Sequence, residues 1–460
     1  MNAPKADPHR PHAPALTLTD PRTGRPRGTS VLGREREVGA AVAAARDAAA
    51  AWRALTPGER AGRIGGLASL VERHAATYAE RERAGTGKPR AEAESEVAGA
   101  AELLRFYAGA ARARTAPAAG RLVEGHESWV RWEPFGTVAA IVPWNYPLMM
   151  AAWRCAPALA AGNTVVLKPA ETTPDSAALL AEHAAEALGA GVLVTLPGDR
   201  ETGRLLVAAR VDMVAFTGSA AAGAHVAAAA GTRRVSLELG GNGPALVLPD
   251  APEHTWDDLA AAVTYNAGQS CAAPARVITL PENYATAVAR LTAALARRHA
   301  GRDFGPLNNA EQAARWDRIV GASAARVRRA ARIAPGTGER EGHWRPATLL
   351  ADVPPDDPAV VDEVFGPLLT VQRAAGVDEA LALANGVPQA LAGSVWTRDL
   401  ATGLDLAGRL DAGEAWLNCH LVQTPELPHG GRGASGAGTD LSVLALDEYQ
   451  RPKTVTARLR

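Results

Sequence analysis

Apolar positions follow two rhythms along this chain. Up to about residue 110, Leu, Val and Ala recur at helical spacing among Arg and Glu. That predicts helices over approximately 34–54, 57–83 and 89–109, after a turn at DPRTG (Asp20 to Gly24). From about residue 136 the texture changes to short β-branched or apolar runs alternating with helical ones. Strands are predicted over 136–142, 163–168, 191–196, 211–218 and 233–240, with helices near 148–161, 175–189, 201–209 and 220–230. Strand, helix, strand repeated this way predicts βαβ units and a parallel sheet. Nucleotides bind such sheets at the carboxyl ends of the strands, where the polar, Gly-rich segments of this chain fall. A further strand, 244–250, opens a second α/β stretch that runs to about residue 437, with a boundary at Gly240-Gly241. The terminal PKTVTARLR (452–460) alternates like an edge strand.

The chain has 460 residues, with 49 basic and 49 acidic side chains. A zero net charge argues against a polyanion-binding protein, which carries a basic patch. Four of the basic residues are lysine (Lys5, Lys88, Lys168 and Lys453) and the rest are arginine. The three cysteines, Cys155, Cys271 and Cys419, lie far apart with no CxxC pair, which excludes a zinc ribbon or a disulfide framework. The longest apolar stretch, Val138 to Leu167, is broken by Asn145, Arg154, Asn163 and three prolines, so no membrane span is expected. The start of the chain has no apolar core of a signal peptide and reads as a mobile tail, so a cytoplasmic protein is expected.

Taken singly, the candidate chemical groups carry little. Cys271 sits among small residues in NAGQSCAAP, and a lone cysteine is as readily a small buried hydrophobe. Glu238 ends an apolar strand, where a carboxylate is unfavourable unless paired or used. Asn145 in PWNYP has the alternative of capping a turn. Gly218-Ser219, between a strand and a helix, would offer free N–H groups to a phosphate. GRGASG (431–436) has no strand before it and reads as a loop. A Cys–His hydrolase would need a histidine beside Cys271, and would leave the other motifs unexplained.

The ordered set PWNYP, LKPAE (167–171), FTGS with Gly223, LELGG (237–241), GQSC (268–271) and DEVFGP (362–367) resembles the aldehyde dehydrogenase superfamily, from about residue 17 to the C-terminus. The resemblance implies an α/β fold with a Rossmann-type parallel-sheet cofactor domain, a second α/β catalytic domain and a small bridging β-element. It assigns 1–16 to a tail, 17–114 and 135–240 to the NAD-binding domain, 241–437 to the catalytic domain, and 115–134 and 438–460 to bridging, oligomerising strands. It implies Cys271 as nucleophile, Asn145 with the Cys271 N–H as oxyanion donors, and Glu238 as general base. A carboxylate at that last position favours hydrolysis to the acid over transfer to coenzyme A. For the cofactor it implies Gly218, Ser219 and Trp144 at the pyrophosphate, Lys168 and Glu171 at the adenosine ribose, and Glu363 and Phe365 at the nicotinamide end. A carboxylate beside the ribose favours NAD over NADP. In a chain that uses arginine almost throughout, a lysine at 168 suits a site too narrow for a guanidinium.

FYAGAAR (106–112), VRWEPFGTVAAIVPWNYPLMMAAW (130–153) and the 418–449 segment look most like the aminobutyraldehyde branch. Tyr146 and Trp153 match tunnel-lining positions. Glu102, one turn before Phe106, is the candidate partner for a substrate ammonium, against the alternative of a solvated carboxylate. Arg432, Gly433 and Ala434 depart from the family pattern in a loop near the tunnel mouth, which admits a bulky or carrier-bound aldehyde as a second reading. A catalytically silent dinucleotide-binding protein is a third, against which intact Cys271, Glu238 and Asn145 argue. Cys155 and Cys419 read as packing residues, and His420 and His429 as loop or tunnel-wall hydrogen-bonders, so no metal is expected. The expected partners are a small aldehyde and further copies of the chain, as a homodimer or homotetramer.

Overall fold

The computed structural model describes residues 14–113, 118–334, 336, 339 and 341–459. Most of the expected tail, residues 1–13, lies outside these. Its last residues do not behave as a tail: strand β1 (Ala15–Thr19) pairs antiparallel with β2 (Pro26–Val31) across the DPRTG turn. Helices α1 (Glu35–Ala54), α2 (Pro57–Arg73), α3 (Ala75–Thr86) and α4 (Arg90–Ala113) follow. The single helix expected over 57–83 is thus two, broken at His74 (φ −105°, ψ 22°). The break resets the helical phase, so that Tyr78 is fully buried and its hydroxyl meets His183 Nδ1 at 2.9 Å. No Gly or Pro falls within 67–83 to mark a break, and tertiary packing decides where it comes.

The βαβ alternation predicted from residue 136 is present. Strands β3 (Ala118–Gly120) and β4 (His126–Pro134) lead into β5 (Thr137–Ile141), α5 (Pro147–Ala160), β6 (Thr164–Lys168), α6 (Asp175–Ala187) and β7 (Leu193–Thr195). Then come α7 (Arg200–Ala208), β8 (Met213–Gly218), α8 (Ala220–Ala230) and β9 (Arg234–Leu239). Strands β9, β8, β5, β6 and β7 lie side by side and parallel in that order. The chain first steps from β5 to β6 and β7, then returns to lay β8 and β9 on the other flank. The switch point therefore falls between β5 and β8, the position where open α/β sheets bind ligands.

Every residue of α5 except Met149 is buried, as expected of a helix that is apolar all round. Its one charge, Arg154, is fully buried and donates to Thr217 Oγ1 (2.7 Å), Ser236 Oγ (3.1 Å), the Phe216 carbonyl (3.2 Å) and Asp440 Oδ1 (2.7 Å). One guanidinium so ties the ends of β8 and β9 to the C-terminal segment.

The second unit holds β10 (Gly243–Val247), α9 (Thr255–Thr264), β11 (Pro274–Thr279), β12 (Val327–Ala330), β13 (Thr348–Ala351), β14 (Leu368–Arg373), β15 (Gln389–Ala390), β16 (Ala392–Trp396) and β17 (Glu414–Leu417). Its seven-stranded sheet runs β12-β13-β14-β11-β10-β16-β17, parallel except for β12.

The segment read as a loop, GRGASG, is instead drawn into two short ladders. Strand β18 (Arg432–Gly433) pairs with β15, and β19 (Gly436–Ala437) pairs with β9 opposite Glu238. Between them Ser435 is fully buried: its hydroxyl donates to the Gly240 carbonyl (2.7 Å) and accepts from Ala390 N–H (2.9 Å). The altered 432–434 stretch is therefore part of the seam between the two units. Residues 441–449 pack into the first core, and β20 (Gln450–Arg458) is an edge strand of the sheet β20-β4-β3.

Candidate active site

Three segments converge at the switch point. β5 delivers Trp144, Asn145 and Tyr146, β8 delivers Gly218 and Ser219, and β9 delivers Glu238. From the second unit, the turn after α9 delivers Cys271. That turn holds Asn266 (φ 47°) and Ala267 (φ 55°) in the left-handed region, costly for residues with a Cβ and common at functional sites. A net of amides secures it. Asn266 Nδ2 donates to the Asn145 carbonyl (2.9 Å), Asn145 Nδ2 to the Gln269 carbonyl (3.0 Å), and Gln269 Oε1 accepts from Asn308 N–H (2.9 Å). Beneath them the buried Lys88 ammonium pairs with Glu96, donates to the Asn145 carbonyl (3.0 Å) and lies 4.6 Å from the centre of the Tyr146 ring. The nucleophile turn and Glu363 also press on Gly240-Gly241, the boundary pair that closes the LELGG motif. A Cβ on Gly241 would sit 2.2 Å from the Cys271 carbonyl oxygen, and one on Gly240 2.2 Å from Glu363 Oε2.

One cavity of about 1180 Å³ is lined by Trp144, Asn145, Tyr146, Trp153, Gly218, Ser219, Glu238, Cys271, Glu363 and Phe365. These are ten of the thirteen residues singled out in the sequence. Glu102 also lines it, but from an exposed position at the rim. Lys168 and Glu171 lie outside the lining, at and just after the end of β6. Lys168 is buried, its ammonium donates to the Pro169 carbonyl (2.8 Å), and burial, opposed by Glu171 and Asp199, lowers its pKa to about 8.

The thiol of Cys271 opens on the cavity, and burial, reinforced by the Glu238 charge, raises its pKa to about 12. Asn145 commits one of its two amide protons to Gln269, and its side-chain oxygen has no partner. Glu363 accepts from Gly241 N–H (2.9 Å), and burial raises its pKa to about 7. Phe365 is held at φ 55° with its ring edge-on to Trp144. Ser219 caps α8 by accepting from Ala222 N–H (3.3 Å). The first-turn N–H groups of that helix have no acceptor within the helix, which suits them to an anion.

The residue that sequence reasoning undervalued is His429. Its Nε2 lies 3.1 Å from Glu238 Oε1 and its Nδ1 3.2 Å from Glu414 Oε2, with the Trp153 ring edge-on. Ligand atoms of Glu238, Cys271 and His429 all fall within 4.8 Å of one another, a donor set of the kind that binds zinc. His429 therefore does have metal-type residues beside it, contrary to expectation, because its neighbours come from β9 and the α9 turn. No signal in the sequence joins positions 158 residues apart. The hydrogen-bonding role expected of His420 is what it has: it bridges Ser394 Oγ (2.8 Å) and the Ala272 carbonyl (2.9 Å), and burial lowers its pKa to about 4. Cys155 is buried within α5, and Cys419 packs beside Cys271 in a small apolar cluster.

The fold and the site together are those of a two-unit, dinucleotide-type α/β enzyme with a cysteine at the junction of the units. The chain belongs to the aldehyde dehydrogenase family, whose family model matches residues 10–455. An aldehyde dehydrogenase of Aspergillus niger is 35% identical over 447 residues, covering 92% of this chain and 88% of the relative. A betaine aldehyde dehydrogenase of Bacillus subtilis is 34% identical over 435 residues, covering 90% and 88%. Among solved structures, the gamma-glutamyl-gamma-aminobutyraldehyde dehydrogenase of Burkholderia cenocepacia superposes with a TM-score of 0.91 at 35% identity, covering 97% and 94% of the two chains. The betaine aldehyde dehydrogenase of Staphylococcus aureus in complex with NAD+ gives 0.93 at 26% identity, covering 97% and 92%.

Proposed function

We propose that this chain oxidises an aldehyde to the free carboxylic acid with NAD+, through a thiohemiacetal and then a thioester on Cys271. The observation that carries this reading is the convergence of thiol, amide and carboxylate in one cavity with the free first turn of α8. Cys271 Sγ attacks the carbonyl carbon. The oxyanion so formed takes the spare N–H of Asn145 and the Cys271 backbone N–H. NAD+, when bound, would supply the hydride acceptor that oxidation of this adduct requires. Glu238 then draws a proton from water as it attacks the thioester, releasing the acid and the thiol.

Ser219 and the α8 N-terminus would hold the pyrophosphate beside Trp144, and Lys168 with Glu171 the adenosine ribose. Glu363 and Phe365 would hold the nicotinamide end. Glu171 favours a free 2′-hydroxyl, hence NAD over NADP. An aminoaldehyde such as 4-aminobutyraldehyde is the favoured substrate class. Tyr265 and Trp153 line the cavity and offer aromatic surface to a substrate ammonium, and three of the four proteins compared above are named for betaine aldehyde or gamma-glutamyl-gamma-aminobutyraldehyde. We infer further that the protein is cytoplasmic and assembles as a dimer or a dimer of dimers through the β20-β4-β3 sheet. β20 presents an outer edge without a partner strand among the described residues, and no helix there is long and apolar enough to cross a membrane.

The direct test is aldehyde-dependent NADH absorbance. Wild-type activity that vanishes in Cys271→Ala supports the reading, and activity that persists in that variant overturns it.

A further inference from the structure

Resting on the proposed reaction, a second use can be drawn from its nucleophile, its base and the histidine beside them. One ligand atom from each of Glu238, Cys271 and His429 lies within 4.8 Å of the other two. Together they offer oxygen, sulfur and nitrogen, the donors of a tetrahedral zinc site, whereas magnesium and calcium demand oxygen ligands. Glu238 and His429 are buried, and all three line the cavity. The cavity gives a cation its way in and supplies a water for the fourth position.

We infer that Glu238, Cys271 and His429 form a binding site for one zinc ion, whose occupancy switches the enzyme off by taking the thiolate and the carboxylate that the reaction needs. The surroundings of the ring support this. Nδ1 has an acceptor at hand, Glu414 Oε2 at 3.2 Å, and a donor, the Gln423 amide at 3.0 Å, so a neutral ring is served in either tautomer. With the proton on Nδ1 and donated to Glu414, the Nε2 lone pair is left 3.1 Å from Glu238 Oε1. Two such lone pairs repel unless a cation lies between them. A carboxylate behind the imidazole is also the usual partner of a zinc-bound histidine, fixing its tautomer and its orientation. Gln423 Nε2 donates to the same Glu414 oxygen at 2.9 Å and holds that carboxylate in place.

Charge favours a dication as well. The buried Arg154 is paired with Asp440, and Glu363, which faces Cys271 from the other side, accepts from Gly241 N–H. Glu238 and Glu414 have no guanidinium or ammonium partner among the described residues. Binding forms bonds from zinc to sulfur, nitrogen and oxygen. The thiol proton leaves to solvent, the ring keeps its proton on Nδ1, and no electron is transferred, so a chelator restores the free site.

The test uses the full chain without aldehyde or cofactor, with Co2+ as a spectroscopic stand-in for zinc. Thiolate ligation gives cobalt an intense sulfur-to-metal charge-transfer band in the near ultraviolet, and titrating Zn2+ against that band yields the zinc affinity. One equivalent of Co2+ is expected to raise the band in wild type and in Cys419→Ser, which removes the other thiol lining the cavity, but not in Cys271→Ser. His429→Gln is expected to bind zinc at least tenfold more weakly. Glu414→Ala removes only the acceptor behind the ring and is expected to lose about 10–100-fold; it also serves should His429→Gln not fold. No band at one equivalent, a band that survives Cys271→Ser, or a zinc affinity unmoved in the His429 and Glu414 variants overturns the proposal. No turnover is required. A wild type that oxidises no aldehyde but raises the band refutes the proposed reaction and keeps the metal site, and an active enzyme without the band refutes the metal site alone.

Discussion

The ammonium of Lys88 is one of the few lysines in this arginine-rich chain, and it lies under the nucleophile turn. Replacing it by methionine keeps length and removes the charge. Lys88 and Glu96 are each about 1% exposed at the side chain, and burial and the Glu96 charge push the pKa of the neighbouring Glu82 well above the usual carboxylate range. The Lys88→Met substitution would leave the Glu96 carboxylate buried without its counter-ion. Breaking such a pair from one side costs about 3–5 kcal/mol. The double variant Lys88→Met/Glu96→Gln removes the orphaned charge and should recover most of that loss. Activity should fall less than stability suggests. The Asn145 carbonyl keeps its bond from Asn266, so the oxyanion donor is loosened rather than lost. Removing such a donor outright costs ~10²–10³ in kcat, and Lys88→Met should cost roughly tenfold. The assay is thermal and denaturant unfolding of wild type, both singles and the double, with kcat measured alongside. A Lys88→Met variant within about 1 kcal/mol of wild type, or a double no more stable than Lys88→Met, would overturn this prediction.

Glu92, whose carboxylate accepts from Asn266 N–H at 3.0 Å, has its pKa raised to about 7 by burial. A carboxyl raised on folding contributes stability that is present below about pH 4.5 and lost as pH rises through about 7. Glu92→Gln is therefore expected to flatten the stability profile over that window, gaining at most about 3 kcal/mol at pH 8, and an unchanged profile by pH-resolved unfolding would contradict this. Glu102→Gln is expected to alter the preference for amino over aliphatic aldehydes by less than about fivefold, because an exposed carboxylate at the rim is screened by water; a larger loss in kcat/KM ratio would make Glu102 the ammonium site. Excess zinc is expected to inhibit through Cys271, His429 and Glu238, with activity returning on chelation and alkylation of Cys271 blocked while zinc is bound. Alkylation that proceeds at the zinc-free rate would rule that out.

What the sequence conveyed well was local. The βαβ alternation was readable because each strand is a short apolar run between turn residues, and the parallel sheet follows from it. Cys271, Glu238 and Asn145 were readable because each sits in a compact motif. The surroundings of His429 were not. Its partners lie on β9, β17 and the turn after α9, and only the folded seam brings them together. The break at His74 was hidden for the opposite reason: helix formers continue through it, and burial of Tyr78 against His183 sets the phase. GRGASG reads as a loop because no strand precedes it, and only its pairing with β9 and β15 shows that it joins the seam between the two units.

The proposed reaction rests on an acyl group passing through Cys271 and on Glu238 activating the water that removes it. Rapid-quench mass spectrometry of Glu238→Gln, mixed with NAD+ and an aldehyde substrate, addresses both at once. The mechanism predicts one burst of NADH per active site and an acyl adduct on the peptide carrying Cys271. Steady turnover without such an adduct, or an adduct on another residue, would contradict it.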